Sequence, residues 1–173
     1  MKLMNWQKWM RHLRDFDLNA RMNYFSEEGL MSIEGSLEKS ARMDSFNIQL
    51  SCCEITDDGF ISLIKTIFHP KHLSKIGLHL WGNEITAKSV MFLAEALHES
   101  DQVEELCLTL GSNGISETGL TKLLKTCSNR QNLSKLSLDF RYTNLTDGIL
   151  QNVEEFSKNS TKLTEVDFCF GET

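Results

Sequence analysis

The chain has 173 residues, 40% hydrophobic and 24% charged, a composition that suits one globular domain and argues against disorder. Its 18 Lys and Arg residues face 24 Asp and Glu, for a net charge of −6, which argues against generic nucleic-acid or anionic-membrane binding. No apolar run approaches the roughly 18 residues needed to span a bilayer.

The first predicted element is the segment MKLMNWQKWMRHLR. It carries Lys2, Lys8, Arg11 and Arg14 with no acid before Asp15, and Trp6, Trp9 and Met10, with Leu3 and Met4, give it an apolar side if helical. Residues 1–12 therefore read as a basic amphipathic cap over the first of the repeats that follow, or as a docking segment for a partner or a membrane surface. A mitochondrial presequence is a third reading.

From residue 13 the chain repeats every 30 residues, and the unit extends over 13–173 as five repeats plus a final strand. Leu13, Met43, Leu73, Val103, Leu133 and Leu163 form one column, and Phe16, Phe46, Ile76, Leu106, Leu136 and Val166 a second. Leu18, Ile48, Leu78, Leu108, Leu138 and Phe168 follow, then Ala20, Leu50, Leu80, Leu110, Phe140 and Phe170. Alternate apolar residues mark strands near 15–20, 45–50, 75–80, 105–110, 135–140 and 165–170. Ser26, Thr56, Thr86, Ser116 and Thr146 then offer helix N-caps. Apolar stripes such as Val90/Leu93/Leu97 predict helices near 26–39, 56–69, 86–99, 116–129 and 147–159. One strand–helix unit cannot bury its own apolar face. Stacked copies can, so the fold class is α/β: a curved βα solenoid with a parallel concave sheet and helices on the convex side.

The stretches 73–86, 103–116 and 133–146 resemble leucine-rich repeats. Asn23, Asn83 and Asn113 hold the place of the family's turn asparagine, with Cys53 and Thr143 substituting for it and Asn144 one residue late. The resemblance implies that these side chains bond the turn backbone. The [ST]-x-x-Gly element at 26–29, 56–59 and 116–119, with Ser89 and Ile149 in place of Gly, is similar to the ribonuclease-inhibitor-like class. The longer unit is similar to repeats common in proteins of ciliated protists.

Little in the chain asks for catalysis. His69 and His72, with His79 further on, span the Pro70 loop rather than a helix face and read as surface histidines. Cys52, Cys53, Cys107, Cys127 and Cys169 form no CxxC pair and read as free thiols of a reducing, intracellular compartment. No phosphate loop, nucleophile elbow or zinc-protease motif occurs, and no cofactor or metal is expected.

The outward strand positions offer a binding surface. One row is Asp17, Asn47, Gly77, Cys107, Ser137 and Asp167; the next is Asn19, Gln49, His79, Thr109, Asp139 and Cys169. Arg21, Ser51, Trp81, Gly111 and Arg141 line the rim, and Trp81 between Arg21 and Arg141 is the leading candidate for a protein contact, together with His79 and Asp139. Alternatively Trp81 folds over its turn. On the helices, Phe92 lies about 200° from Val90 and is expected in solvent, with Phe156 partly outward. Val166, Phe168 and Phe170 leave the last strand edge bare, so another protein subunit is expected to cover it, by edge pairing or packing.

These features predict a non-catalytic protein–protein interaction module, a small structural subunit of a larger assembly. The resemblance implies a cilium, axoneme or other cytoskeletal setting. The alternatives are a regulator of an enzyme, GTPase-activating or inhibitor-like, and an accessory subunit of a mitochondrial membrane complex.

Overall fold

A computed structural model of the chain describes residues 12–25, 29–30, 42–68 and 73–171. The described residues form six strands: β1 (Asp15–Asn19), β2 (Ser45–Gln49), β3 (Lys75–His79), β4 (Glu105–Thr109), β5 (Lys135–Asp139) and β6 (Glu165–Cys169). They alternate with helices α1 (Asp57–Phe68), α2 (Ala87–His98), α3 (Glu117–Ser128) and α4 (Ile149–Asn159). All strands are parallel, in chain order, and each residue pairs with the one 30 positions on, as Phe46 does with Ile76 and Ile76 with Leu106. The 30-residue period is therefore also the sheet register. Most of the helix predicted at 26–39 lies outside the described residues; Gly29 and Leu30 are helical.

Every strand has only five residues, yet β2 to β5 bury two apolar side chains each and turn their other side chains outward. Stacking merges those pairs into one core. Ile48, Leu78 and Leu108 are fully buried, and Leu63, Leu93 and Leu123 meet them from the helices.

The turn after each strand is built from the same parts. Met22, Cys52, Gly82, Ser112 and Tyr142 are again 30 apart, and all have left-handed backbone with φ between 55° and 66°. For the four non-glycine residues that geometry costs about 1 kcal/mol each. The N–H of Met22, Cys52, Gly82 and Ser112 donates to a carbonyl of the next repeat at 2.8–3.0 Å, which offsets the strain.

The turn asparagines knit the repeats. Asn113 Oδ1 accepts from the Asn83 and Ile85 N–H groups (3.2 and 3.0 Å), and its Nδ2 donates to the carbonyls of Leu80, Leu110 and Gly111. Asn83 does the same one repeat earlier, towards Cys53, Ile55, Leu50 and Leu80. Cys53 Sγ donates to the Ala20 carbonyl at 3.2 Å, while Thr143 Oγ1 reaches only the Phe140 carbonyl of its own turn.

The helix starts explain the irregular glycine. A Cβ on Gly119 would lie 3.0 Å from Ala87 Cα, so α2 and α3 touch there. Where Ser89 replaces glycine, its hydroxyl donates to Asp57 Oδ1 at 2.5 Å, and Thr86 adds bonds from N and Oγ1. Burial raises the Asp57 pKa, but the bonds from Ser89 and Thr86 outweigh it and hold the carboxyl below its ordinary value of 3.8. Ser116 makes no side-chain capping bond, and α4 begins at Ile149 behind a tight turn, two residues later than expected.

Two orientation expectations need correction. Phe156 is buried, at 4% exposure, whereas Leu150 is 61% exposed. Phe156 stands in the repeat column of the buried Thr66 and Thr126, and it packs on Phe168 with ring centroids 5.2 Å apart. Phe92 is half-buried against the core and lies under Lys65 Nζ, 5.8 Å from its ring centre, rather than free in solvent.

Candidate protein-binding surface

The outward strand rows form an open groove of about 520 Å³ across the sheet, with Gly77, Cys107 and Ser137 on its floor and Lys75, Glu105 and Lys135 along one side. The opposite rim carries the aromatic groups. Trp81 does not stay over its own turn. Its ring crosses the next repeat at Gly111, where an added Cβ would come within 2.2 Å of Trp81 Cζ3 and 2.6 Å of the Arg141 carbonyl. Beyond that glycine the ring meets the edge of Tyr142, with centroids 5.6 Å apart at 78°, and lies 5.4 Å from Arg141 Cζ. Offset and edge-on ring contacts of this kind are attractive, as is a guanidinium beside an indole.

Arg141 is held in place from below. Its Nε and Nη2 donate to Asp139 Oδ1 and Oδ2 at 3.0 and 2.7 Å, and its backbone N–H donates to Oδ1 as well. Burial raises the Asp139 pKa, but these bonds dominate and hold the carboxyl below its ordinary value. The fork also keeps the guanidinium charged and largely neutralised by its partner. Trp81, Asp139 and Arg141 thus form one unit. Tyr142, which is absent from the outward rows predicted from the sequence, belongs to it and is 61% exposed. Its signal was the turn column itself, where the other members are methionine, cysteine, glycine and serine.

Arg21 and His79 stand apart from that unit. Among the described residues no ring contact or ion pair joins Arg21 to Trp81; its charge is felt at His79. Burial first, and Arg21 second, lower the His79 pKa below 6.5 against the opposing pull of Asp17. The imidazole Nδ1 shares a 2.9 Å hydrogen bond with Thr109 Oγ1.

The terminal candidates divide. Trp6 and Trp9 lie outside the described residues, as do His69 and His72. Val166 is 44% exposed, and Phe168 and Phe170 are half-buried: Phe170 stacks on Phe140, and Phe168 meets Phe156 and Phe170 at tilted angles. All five cysteines are free thiols, and burial pushes Cys127 up to about 12. Among the described residues no group of three His, Cys, Asp or Glu could hold a metal, and no helix is long and apolar enough to cross a membrane.

No family model matches the chain, and no curated protein sequence does. Solved structures do match. Leiomodin-1 actin-binding site 2 shares the fold with a TM-score of 0.59 at 17% identity, over 83% of this chain and 78% of its own. The tropomodulin C-terminal domain of Caenorhabditis elegans matches with a TM-score of 0.57 at 13% identity, over 92% and 93%. These neighbours overturn the expected identification as a ribonuclease-inhibitor-like repeat of ciliate type. A 30-residue period specifies how slabs stack, and unrelated lineages can satisfy the same stacking rule. At these identities the likeness shows the fold: a leucine-rich-repeat-like α/β solenoid with a six-stranded parallel sheet.

Proposed function

We propose that the chain is a non-catalytic protein-binding module of the cytoskeleton and that actin is its first candidate partner. One observation carries the reading: the fold matches the actin-binding site 2 of leiomodin-1 over most of both chains. The ciliary placement, the enzyme-regulator reading and the mitochondrial reading gain no support from the neighbours.

Within that reading the rim unit of Trp81, Arg141 and Tyr142, seated on Asp139, is the contact surface. A large ring immobilised by a glycine, a guanidinium and a second ring loses little side-chain entropy on binding, which favours it as an anchor. Arg21 and His79 extend the surface towards β1.

Co-sedimentation with filamentous actin, and fluorescence titration of monomeric actin, test the partner. Trp81→Ala is expected to weaken binding about thirtyfold, as loss of an interface anchor does, while the circular dichroism spectrum stays unchanged. Absence of binding to either actin form would remove actin. Binding that survives Trp81→Ala and Tyr142→Ala would move the contact off the rim.

A further inference from the structure

Of the outward columns of the sheet, the rim column alone carries cations and no acid: Arg21, Ser51, Trp81, Gly111, Arg141 and Gly171. From Trp81 onward it alternates long and short. Trp81 lies over Gly111, and Arg141 lies over Gly171, where an added Cβ would come within 2.5 Å of Arg141 Cγ. Both side chains are thereby laid along the column instead of standing free. Among the described residues the Arg21 guanidinium, the Trp81 indole N–H, the Arg141 Nη1 group and the Tyr142 hydroxyl have no hydrogen-bond partner. The first three groups only donate, and the hydroxyl donates as readily as it accepts. Arg21 and Tyr142 are exposed and Trp81 is half-buried. What such a row lacks is acceptors. The rows on either side carry the opposite charge: Asp17 lies towards the groove, Glu54 and Glu84 lie beyond the rim along the turns, and all three are exposed.

We infer that the rim takes an acidic segment of a partner protein, with one carboxylate beside Arg21, a second beside Arg141 and Tyr142, and an apolar side chain on Trp81 between them. The inference rests on the rim being the contact surface. Adjacent strands lie about 4.8 Å apart, so four repeats separate the two arginines by roughly 19 Å. An extended segment covers that distance in about six residues. Its alternate side chains share one side, so both acids and the apolar residue can face the rim together. Arg21 supplies the net attraction. Arg141, neutralised by Asp139, supplies N–H groups of fixed direction.

A uniformly charged polyanion fits badly. Nucleic acid carries a phosphate at every step and would set some of them against Asp17, Glu54 and Glu84. The counterion release that drives such binding needs a basic field, and the chain has a net charge of −6. A protein segment can place acids at two positions and leave the rest uncharged. A basic segment would face Arg21 with a like charge.

The test uses the 173-residue chain and labelled peptides of about seven residues, with leucine at the fifth position, threonine elsewhere, and either glutamate or lysine at both ends. Fluorescence anisotropy is expected to show the glutamate peptide binding about tenfold more tightly, because two attractive exposed pairs replace two repulsive ones. Arg21→Glu should abolish that preference, whereas Lys122→Glu, the same charge change at an exposed site on α3, should leave it. Trp81→Ala should weaken both peptides alike. No preference between the peptides, or its loss in Lys122→Glu as well, would overturn the proposal by reducing it to overall charge. A single-stranded oligonucleotide that binds more tightly than the glutamate peptide, and is released by Arg21→Glu, would overturn it in favour of nucleic acid. Actin separates this inference from the reading beneath it. Actin binding that Trp81→Ala weakens but Arg21→Glu leaves unchanged would keep the rim and overturn the acidic segment. A peptide preference that holds where actin fails to bind would support the segment and assign the rim to another acidic partner.

Discussion

Asp57 shows how much one side chain contributes between repeats. It begins α1, yet its oxygens take three hydrogen bonds from Thr86 and Ser89 at the start of α2. A folded-state pKa below 3.8 means that its contribution is complete above that value and is lost as pH falls through the lower, folded value. Asp57→Asn is therefore expected to cost about 1 kcal/mol at neutral pH, after allowance for solvent screening of a half-exposed carboxylate. Urea midpoints compared at neutral and strongly acidic pH check it, since the gap between native and variant should close in acid. Glu117 repeats the motif more weakly, accepting one bond from Thr146 Oγ1 at 2.7 Å. Arg130 is a third such link: from the loop after α3 it donates to the His98 carbonyl at 3.1 Å and to the Ser100 carbonyl, closing the end of α2. None of the three partnerships follows from residue type alone, because each joins positions 29 to 32 residues apart.

At the scale of elements, the turn column separates asparagines that look alike in sequence. Asn113 is buried and bonds five backbone groups across two turns, whereas Asn23 is exposed and, among the described residues, bonds the Ala20 and Arg21 carbonyls of its own turn. Asn113→Ala should cost about 3 kcal/mol, because buried N–H and C=O groups lose their partners, and Asn23→Ala less than about 0.5 kcal/mol. Chemical denaturation of the two variants measures the difference. Helix α4 departs from its relatives for a related reason. Thr143 is too short to span two turns as asparagine does and bonds the Phe140 carbonyl of its own turn, the turn after it is tighter, and the helix begins late. Asn144 and Ile149 flag this unit as irregular in the sequence; that Phe156 packs on Phe168 only the fold shows.

Across the whole molecule, stability is a sum over neighbouring slabs, so position in the stack sets the cost of a deletion. Leu108, with a repeat on either side, is fully buried, and Leu108→Ala is expected to cost about 2–5 kcal/mol. Val166 occupies the last slab and is 44% exposed, so Val166→Ala should cost less than about 1 kcal/mol. Thermal unfolding of the pair measures this.

The four apolar columns, read with no structure in hand, already specify parallel strands in chain order, their register and the side on which the helices pack. They do so because only one stacking buries every column at once, and it repeats the same contact at every step. The rim unit was half legible. Trp81, Asp139 and Arg141 stood in outward rows, but Tyr142 did not, and Arg21 was grouped with a ring it does not touch. Which side chains meet across a sheet depends on rotamers and on a single missing Cβ at Gly111, neither of which periodicity encodes. Tertiary structure alone decided that an indole from one repeat rests on a guanidinium two repeats away, because only stacked slabs bring those groups within reach.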